Sequence, residues 1–74
     1  MLKKGDWVVF VNPTFKNLMG KVGKVDKKEK STPNMQDMYY LEYIIGHDLK
    51  PGERVIFEYE VKKLKEEEVL PYLI

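Results

Sequence analysis

Five short stretches rich in β-branched and aromatic residues run along the 74-residue chain, and turn-forming residues separate them. Such side chains fit the pleated surface of a strand. Short strands at this spacing are typical of an all-β barrel or sandwich. A chain of this length forms one domain, here residues 1–74. The pattern predicts a small barrel, with strands over residues 6–11, 20–26, 37–45, 53–61 and 69–74.

Alternation of apolar and polar residues predicts which faces are buried. The stretch 53–61 alternates most clearly, and its apolar face comprises Val55, Phe57, Tyr59 and Val61. The stretch 37–45 has its more apolar face at Tyr39, Leu41, Tyr43 and Ile45, which we assign to the core. A glycine within a strand marks a bulge or a bend. We therefore expect an irregularity at Gly23.

Two segments read differently from the strands. Residues 27–34 are lysine-rich and contain Ser31, Thr32 and Pro33, a composition typical of a solvated loop. The sequence of residues 62–68 predicts one short helical turn near the C-terminus. The stretch 69–74 then predicts a closing edge strand, where Pro71 is tolerated because its missing N–H faces solvent.

The first third of the chain resembles a KOW motif, the strand–loop–strand unit of some ribosomal proteins and transcription elongation factors. The resemblance rests on the segments 4–11, Phe15-Lys16 and 20–25, which read KGDWVVFV, FK and GKVGKV. It implies a five-stranded SH3-like barrel in which Val8, Phe10 and Val25 point inward. Taken whole, the chain also resembles small prophage-encoded SH3-like proteins, a resemblance that implies no known biochemical activity.

Catalytic equipment is sparse. The chain has no cysteine, and His47, its one histidine, precedes Asp48 in a predicted turn, where relay geometry is rare. The acidic run 66–68 lacks the spacing and the glycine of a calcium loop. The stretch 20–24 lacks the spacing of a phosphate loop. We expect no catalytic, metal or cofactor site, and hence a protein that is not an enzyme.

Absence of cysteine suits a reducing compartment, so we expect a cytoplasmic protein. The longest apolar run, residues 7–11, is far shorter than the about 20 residues that cross a membrane. The net charge is +1, yet residues 1–30 carry +5 and residues 31–74 carry −4. This asymmetry indicates either a polar interaction surface or mutual attraction of the two halves within the fold.

Two surfaces are candidates for partner binding. If Val8 and Phe10 point inward, then Trp7, Val9 and Val11 lie on the opposite face of the first strand, where an exposed aromatic marks a binding site. Alternatively, the C-terminal segment covers that face with Leu70, Tyr72 or Leu73. The second candidate is the following loop, with its apolar residues Phe15, Leu18 and Met19 and the flanking lysines Lys16, Lys21 and Lys24.

The loop allows two readings as well. In the first, the aromatic group stacks on a base of a nucleic acid and the basic groups contact its phosphates. In the second, Phe15 and Leu18 fold back and plug the barrel end. Lysine supplies charge without bidentate base readout, so sequence-specific recognition is not expected.

The favoured hypothesis is a monomeric, non-catalytic protein-interaction adaptor of phage type with a protein partner. The alternative is a KOW-like module that binds RNA or single-stranded nucleic acid.

Overall fold

The computed structural model describes residues 2–29 and 37–73, and it confirms the predicted all-β class. Three 3₁₀ turns occupy Lys16–Leu18, Pro51–Glu53 and Glu58–Glu60. The regular elements are five strands and one helix: β1 (Trp7–Phe10), β2 (Val22–Glu29), β3 (Met38–Ile44), β4 (Val55–Phe57), β5 (Val61–Leu64) and α1 (Glu66–Leu73).

The strands form one antiparallel sheet in the order β4-β3-β2-β1-β5. Among the described residues, no ladder joins the edge strands β4 and β5, so backbone pairing leaves the sheet open. Barrel closure therefore stays a prediction. Strand β2 also runs further than expected, because residues 27–29 of the predicted loop are strand; residues 30–34 of that loop lie outside the described residues.

The main core cluster lies on one face of this sheet, and it confirms the inward orientation expected for Val8, Phe10 and Val25. The buried Tyr39 phenol accepts the Leu2 backbone N–H at 3.3 Å, and its burial raises the pKa of Tyr39. A buried hydroxyl with a partner avoids an unpaired polar group in the core. The core cluster comprises Leu2, Val8, Phe10, Leu18, Val25, Tyr39, Leu41, Ile44, Ile56 and Val61.

Two irregularities in the β2–β3 ladder overturn part of the predicted core. The register passes over Glu42 in β3 and over Asp26 in β2, so each strand contains one extra residue there. An extra residue moves the alternation by one position. Ile44 is therefore buried, whereas Tyr43 is 40% exposed and Ile45 is only partly buried. The assignment of Tyr43 and Ile45 to the core was wrong for this reason.

Gly23 does not carry the irregularity that the sequence predicts there. It pairs in regular register with Val8 and with Ile44. A Cβ at Gly23 would lie 3.1 Å from the Tyr43 carbonyl oxygen and 3.3 Å from Cγ1 of Ile44. Glycine is therefore required at this position because β3 approaches β2 closely.

The predicted strand over 53–61 is two strands with a 3₁₀ turn between them. The turn Glu58–Glu60 carries the chain from one edge of the sheet to the other and interrupts the period of two. Ile56 is the buried residue of β4, while Tyr59 is 51% exposed. The predicted apolar face was therefore wrong at Val55, Phe57 and Tyr59 and correct at Val61.

The C-terminal segment also differs from the prediction. The fifth strand is Val61–Leu64, and residues 66–73 form two helical turns rather than a closing strand. The Glu68 carboxylate accepts the Lys65 backbone N–H at 2.9 Å, which caps the helix start. Three glutamates in the first turn add favourable charge at the positive end of the helix dipole. Val69 is the buried side chain of α1.

Glu60 connects the edge strand β4 to the end of β1, two parts of the sheet that no backbone ladder joins directly. Its carboxylate is buried and accepts two backbone N–H groups, from Thr14 and from Phe57, each at 2.8 Å. Its carbonyl oxygen accepts the N–H groups of Val11 and Asn12 at 2.9 and 3.0 Å. One residue thus ties the end of β1 and the following loop to β4.

Replacing Glu60 with alanine should therefore destabilise the fold. It leaves two partly buried N–H groups without their acceptor, and an unsatisfied buried group costs about 1–3 kcal/mol. We expect Glu60→Ala to lower the free energy of unfolding in urea by at least about 2 kcal/mol. The exposed Glu67→Ala is the matched control and should change it by less than about 0.5 kcal/mol. Equal values for the two variants would contradict this account of Glu60.

Candidate interaction surface

The sheet face opposite the core carries an aromatic pair with a lysine between its two strands. Trp7 of β1, Lys24 of β2 and Tyr43 of β3 lie side by side in the register. The two rings meet edge to face, with centroids 5.8 Å apart and planes at 88°, the geometry that aromatic quadrupoles favour. The Lys24 ammonium lies 5.5 Å from the Trp7 ring centroid, within cation–π distance. These contacts fix the orientation of a half-buried indole.

A second lysine and tyrosine extend this arrangement along the same two strands. Lys27 pairs with Tyr40 in the register, and its ammonium lies 5.1 Å from the ring centroid. Tyr40 alternates with the buried Tyr39 and Leu41, so it faces away from the core. We call Trp7, Lys24, Lys27, Tyr40 and Tyr43 together the outer face.

A shallow depression of about 350 Å³ adjoins Trp7 on the other side, where β1 begins and β5 ends. Within it the Asp6 carboxylate accepts the Lys3 backbone N–H at 2.8 Å and lies 3.6 Å from the Lys63 ammonium. Charges of both signs therefore surround the indole. The lining residues are Gly5, Asp6, Trp7, Lys63, Leu64, Lys65 and Glu66.

The structure settles how far the C-terminal segment covers Trp7. Leu70, Tyr72 and Leu73 are each 44–56% exposed, and the ring contacts described for Trp7 are with Tyr43 and Lys24.

Val9, two residues after Trp7, is half-buried, and it pairs with Val22, which is fully buried. Val11 is exposed but lies beyond the end of β1, where its N–H binds the Glu60 carbonyl. The predicted trio of Trp7, Val9 and Val11 is therefore not one continuous exposed strip.

The loop after β1 also separates its predicted residues. Leu18 is 1% exposed and packs in the core cluster, so its side chain does not belong to an exposed binding surface. Phe15 is 44% exposed and does not plug the fold with Leu18. Lys16 is exposed and Lys21 is half-buried, and both remain near Phe15 along the chain, whereas Lys24 lies on the outer face beside Trp7.

Sequence reasoning missed Tyr40, Tyr43 and Lys27 as members of this face. Strict alternation assigns Tyr43 to the core, and the lysine-rich composition of residues 27–34 places Lys27 in a loop. The register shifts at Asp26 and Glu42 correct both assignments. Bulges leave no reliable signal in a single sequence unless a glycine marks them, and neither residue is a glycine.

His47 has a partner in the structure. Its Nε2 lies 3.0 Å from Oε1 of Glu53, and both side chains are largely buried. The Lys50 backbone N–H, 3.0 Å from the same oxygen, and then His47 hold the pKa of Glu53 below its usual value, with a further side-chain hydrogen bond from Asn17. This cluster links the turn after β3 to the 3₁₀ turn in the loop after β1.

Comparisons with known proteins add no relative. No family model matches the chain, and searches of curated proteins and of solved structures found no significant match.

Within residues 2–29 and 37–73, no group of three or more His, Asp or Glu side chains is arranged to hold a metal ion. In the same residues, no helix has the length and apolar character needed to cross a membrane.

The Glu53 cluster should make stability depend on pH in a specific direction. A carboxyl group with a lowered folded-state pKa stabilises the fold above its unfolded pKa, and this contribution is lost as pH falls through the folded pKa. Glu53→Gln does not titrate. We therefore expect the difference in unfolding free energy between the native protein and Glu53→Gln to shrink as pH falls below about 4. A difference that stays constant down to about pH 3 would show that Glu53 has no lowered pKa.

Proposed function

We propose that this chain is a non-catalytic protein-binding module, an adaptor of the small phage type, and that its docking surface is the outer face centred on Trp7. The observation that carries the proposal is the fixed indole on the face away from the core, with Tyr43 against its edge and Lys24 over its ring. Tryptophan and tyrosine are the residues that most often dominate binding energy at protein interfaces. An anchor already held in place loses little conformational freedom on binding.

The charges around Trp7 favour a protein over a polyanion. Lys24 and Lys63 lie near it, but so do Asp6 and Glu66. A surface with both signs gains little from counterion release, which drives non-specific nucleic-acid binding. We therefore expect a contact that depends on apolar and aromatic area and tolerates salt.

A pull-down from a host lysate, at low and high salt and with nuclease treatment of half the sample, tests this surface. We expect a protein retained by the native chain and by Tyr59→Ala to be lost with Trp7→Ala, whether or not nuclease is present. Tyr59 is the matched control because it is an exposed aromatic residue of a different element, the 3₁₀ turn between β4 and β5.

Trp7 is half-buried, so urea unfolding must accompany the capture experiment. If Trp7→Ala is folded and still retains the protein, the outer face is not the docking surface. If Trp7→Ala is unfolded, Lys24→Ala, which changes the ring contact but no core residue, takes its place and should weaken capture.

A second candidate is binding of single-stranded nucleic acid by the same face. The observation that favours it is the repeated pairing of a lysine with an aromatic ring, Lys24 with Trp7 and Lys27 with Tyr40. Sheets that bind single strands combine stacking rings with cations in this way. Each ring here already has an ammonium group near it, which a base would have to displace.

Trp7 is the one tryptophan in the chain, so its fluorescence reports on this face directly. On titration with an oligouridylate at low salt we expect no change in emission if the face binds proteins. Quenching that saturates at micromolar concentration, and that is lost at higher salt and in the double variant Lys24→Ala/Lys27→Ala, would favour the nucleic-acid function instead.

A further inference from the structure

We infer that the outer face also binds a second copy of this chain, with α1 of each copy lying on the outer face of the other, so that the protein is a dimer and not the monomer expected from the sequence. The inference rests on the proposed function, because it requires that the outer face binds a protein. It identifies the chemistry of that protein as an acidic, apolar helix.

Helix α1 offers an acidic and apolar surface. Its side chains Leu70, Tyr72 and Leu73 are exposed, while Val69 alone of its residues is buried. The first turn adds three glutamates, and no basic residue lies between Glu66 and Leu73. The solvent-facing side of a surface helix is usually polar, so three exposed apolar side chains on two helical turns are unusual.

Away from the depression that contains Asp6 and Glu66, the outer face offers the complementary chemistry. Trp7, Tyr40 and Tyr43 supply aromatic surface, and Lys24 and Lys27 supply positive charge. Apolar side chains of a helix pack against such rings, and its glutamates lie within reach of the lysines. Opposite charges across an interface determine its orientation and suppress wrong partners.

The charges needed for this contact are not used within the chain. The described ion pairs outside the His47 cluster are Lys28 with Asp37 and Lys63 with Asp6. Among the residues that the structure describes, Lys24 and Lys27 are in contact with aromatic rings, and neither they nor Glu66 and Glu67 form an ion pair. Lys24, Lys27, Glu66 and Glu67 are therefore four described charges that an external contact can use.

The helix and the face are neighbours on the surface, which allows a two-fold arrangement. Trp7 and Glu66 line the same depression, so α1 begins beside the outer face. A two-fold interface uses the same patch on both copies, and the patch must complement itself. A patch with an acidic helix next to a basic aromatic face meets this condition, because a two-fold rotation places each on the other.

Charge reversal tests the arrangement. The face variant is Lys24→Glu/Lys27→Glu, and the helix variant is Glu66→Lys/Glu67→Lys; Glu68 is kept because it caps α1. By sedimentation and light scattering we expect the native chain to form dimers. Each variant alone should dimerise at least about tenfold more weakly, because like charges then face each other. An equimolar mixture of the two variants should restore the dimer, because both contacts are again complementary.

Circular dichroism verifies that each variant is folded, and the milder pair Lys27→Glu and Glu67→Lys replaces any that is not. A native chain that stays monomeric at about 0.5 mM, a concentration that would fill even a weak site, overturns the inference. So does a dimer that neither variant weakens, or a mixture that fails to restore it. If the native chain is monomeric while capture of another protein still requires Trp7, the inference fails and the proposed function stands.

Discussion

The extra residue in each strand of the β2–β3 ladder determines what both faces of this sheet present. On one side, the shift at Glu42 brings Ile44 into the core behind Leu41. On the other side, the two shifts together keep the pairs Lys24–Tyr43 and Lys27–Tyr40 on a single face. Without them the strict period of two would bury one tyrosine and divide the lysines between faces. The composition of the core and that of the outer face thus both depend on these two irregularities.

Two buried glutamates connect segments of the fold that the strand ladders do not join. Glu60 joins β4 to the chain after β1 through backbone N–H groups, and Glu53 joins the turn after β3 to the loop after β1 through His47 and Asn17. Both buried carboxylates accept backbone N–H groups, which explains why two carboxylates are tolerated inside so small a fold. They also hold the loop after β1 so that Leu18 reaches the core.

This organisation connects the fold to the proposed binding. A domain of 74 residues has few apolar side chains to spare, because a small chain buries a modest fraction of its surface. Aromatic residues and a helix that leave much of their apolar surface in solvent are therefore informative. Trp7 contacts Tyr43 and shares a depression with Glu66 at the start of α1, so the proposed docking surface adjoins the helix.

The residues alone determined the all-β class, because local β propensity requires no distant contact, and the resemblance to a KOW motif implied the inward positions of Val8, Phe10 and Val25. Tertiary structure decided the rest. It split residues 53–61 with a 3₁₀ turn, made residues 66–73 helical, buried Leu18 and exposed Tyr43. Each of these outcomes depends on pairing register or on partners far along the chain, and local pattern does not encode them. The turn, for example, depends on the contact between Glu60 and the distant Thr14.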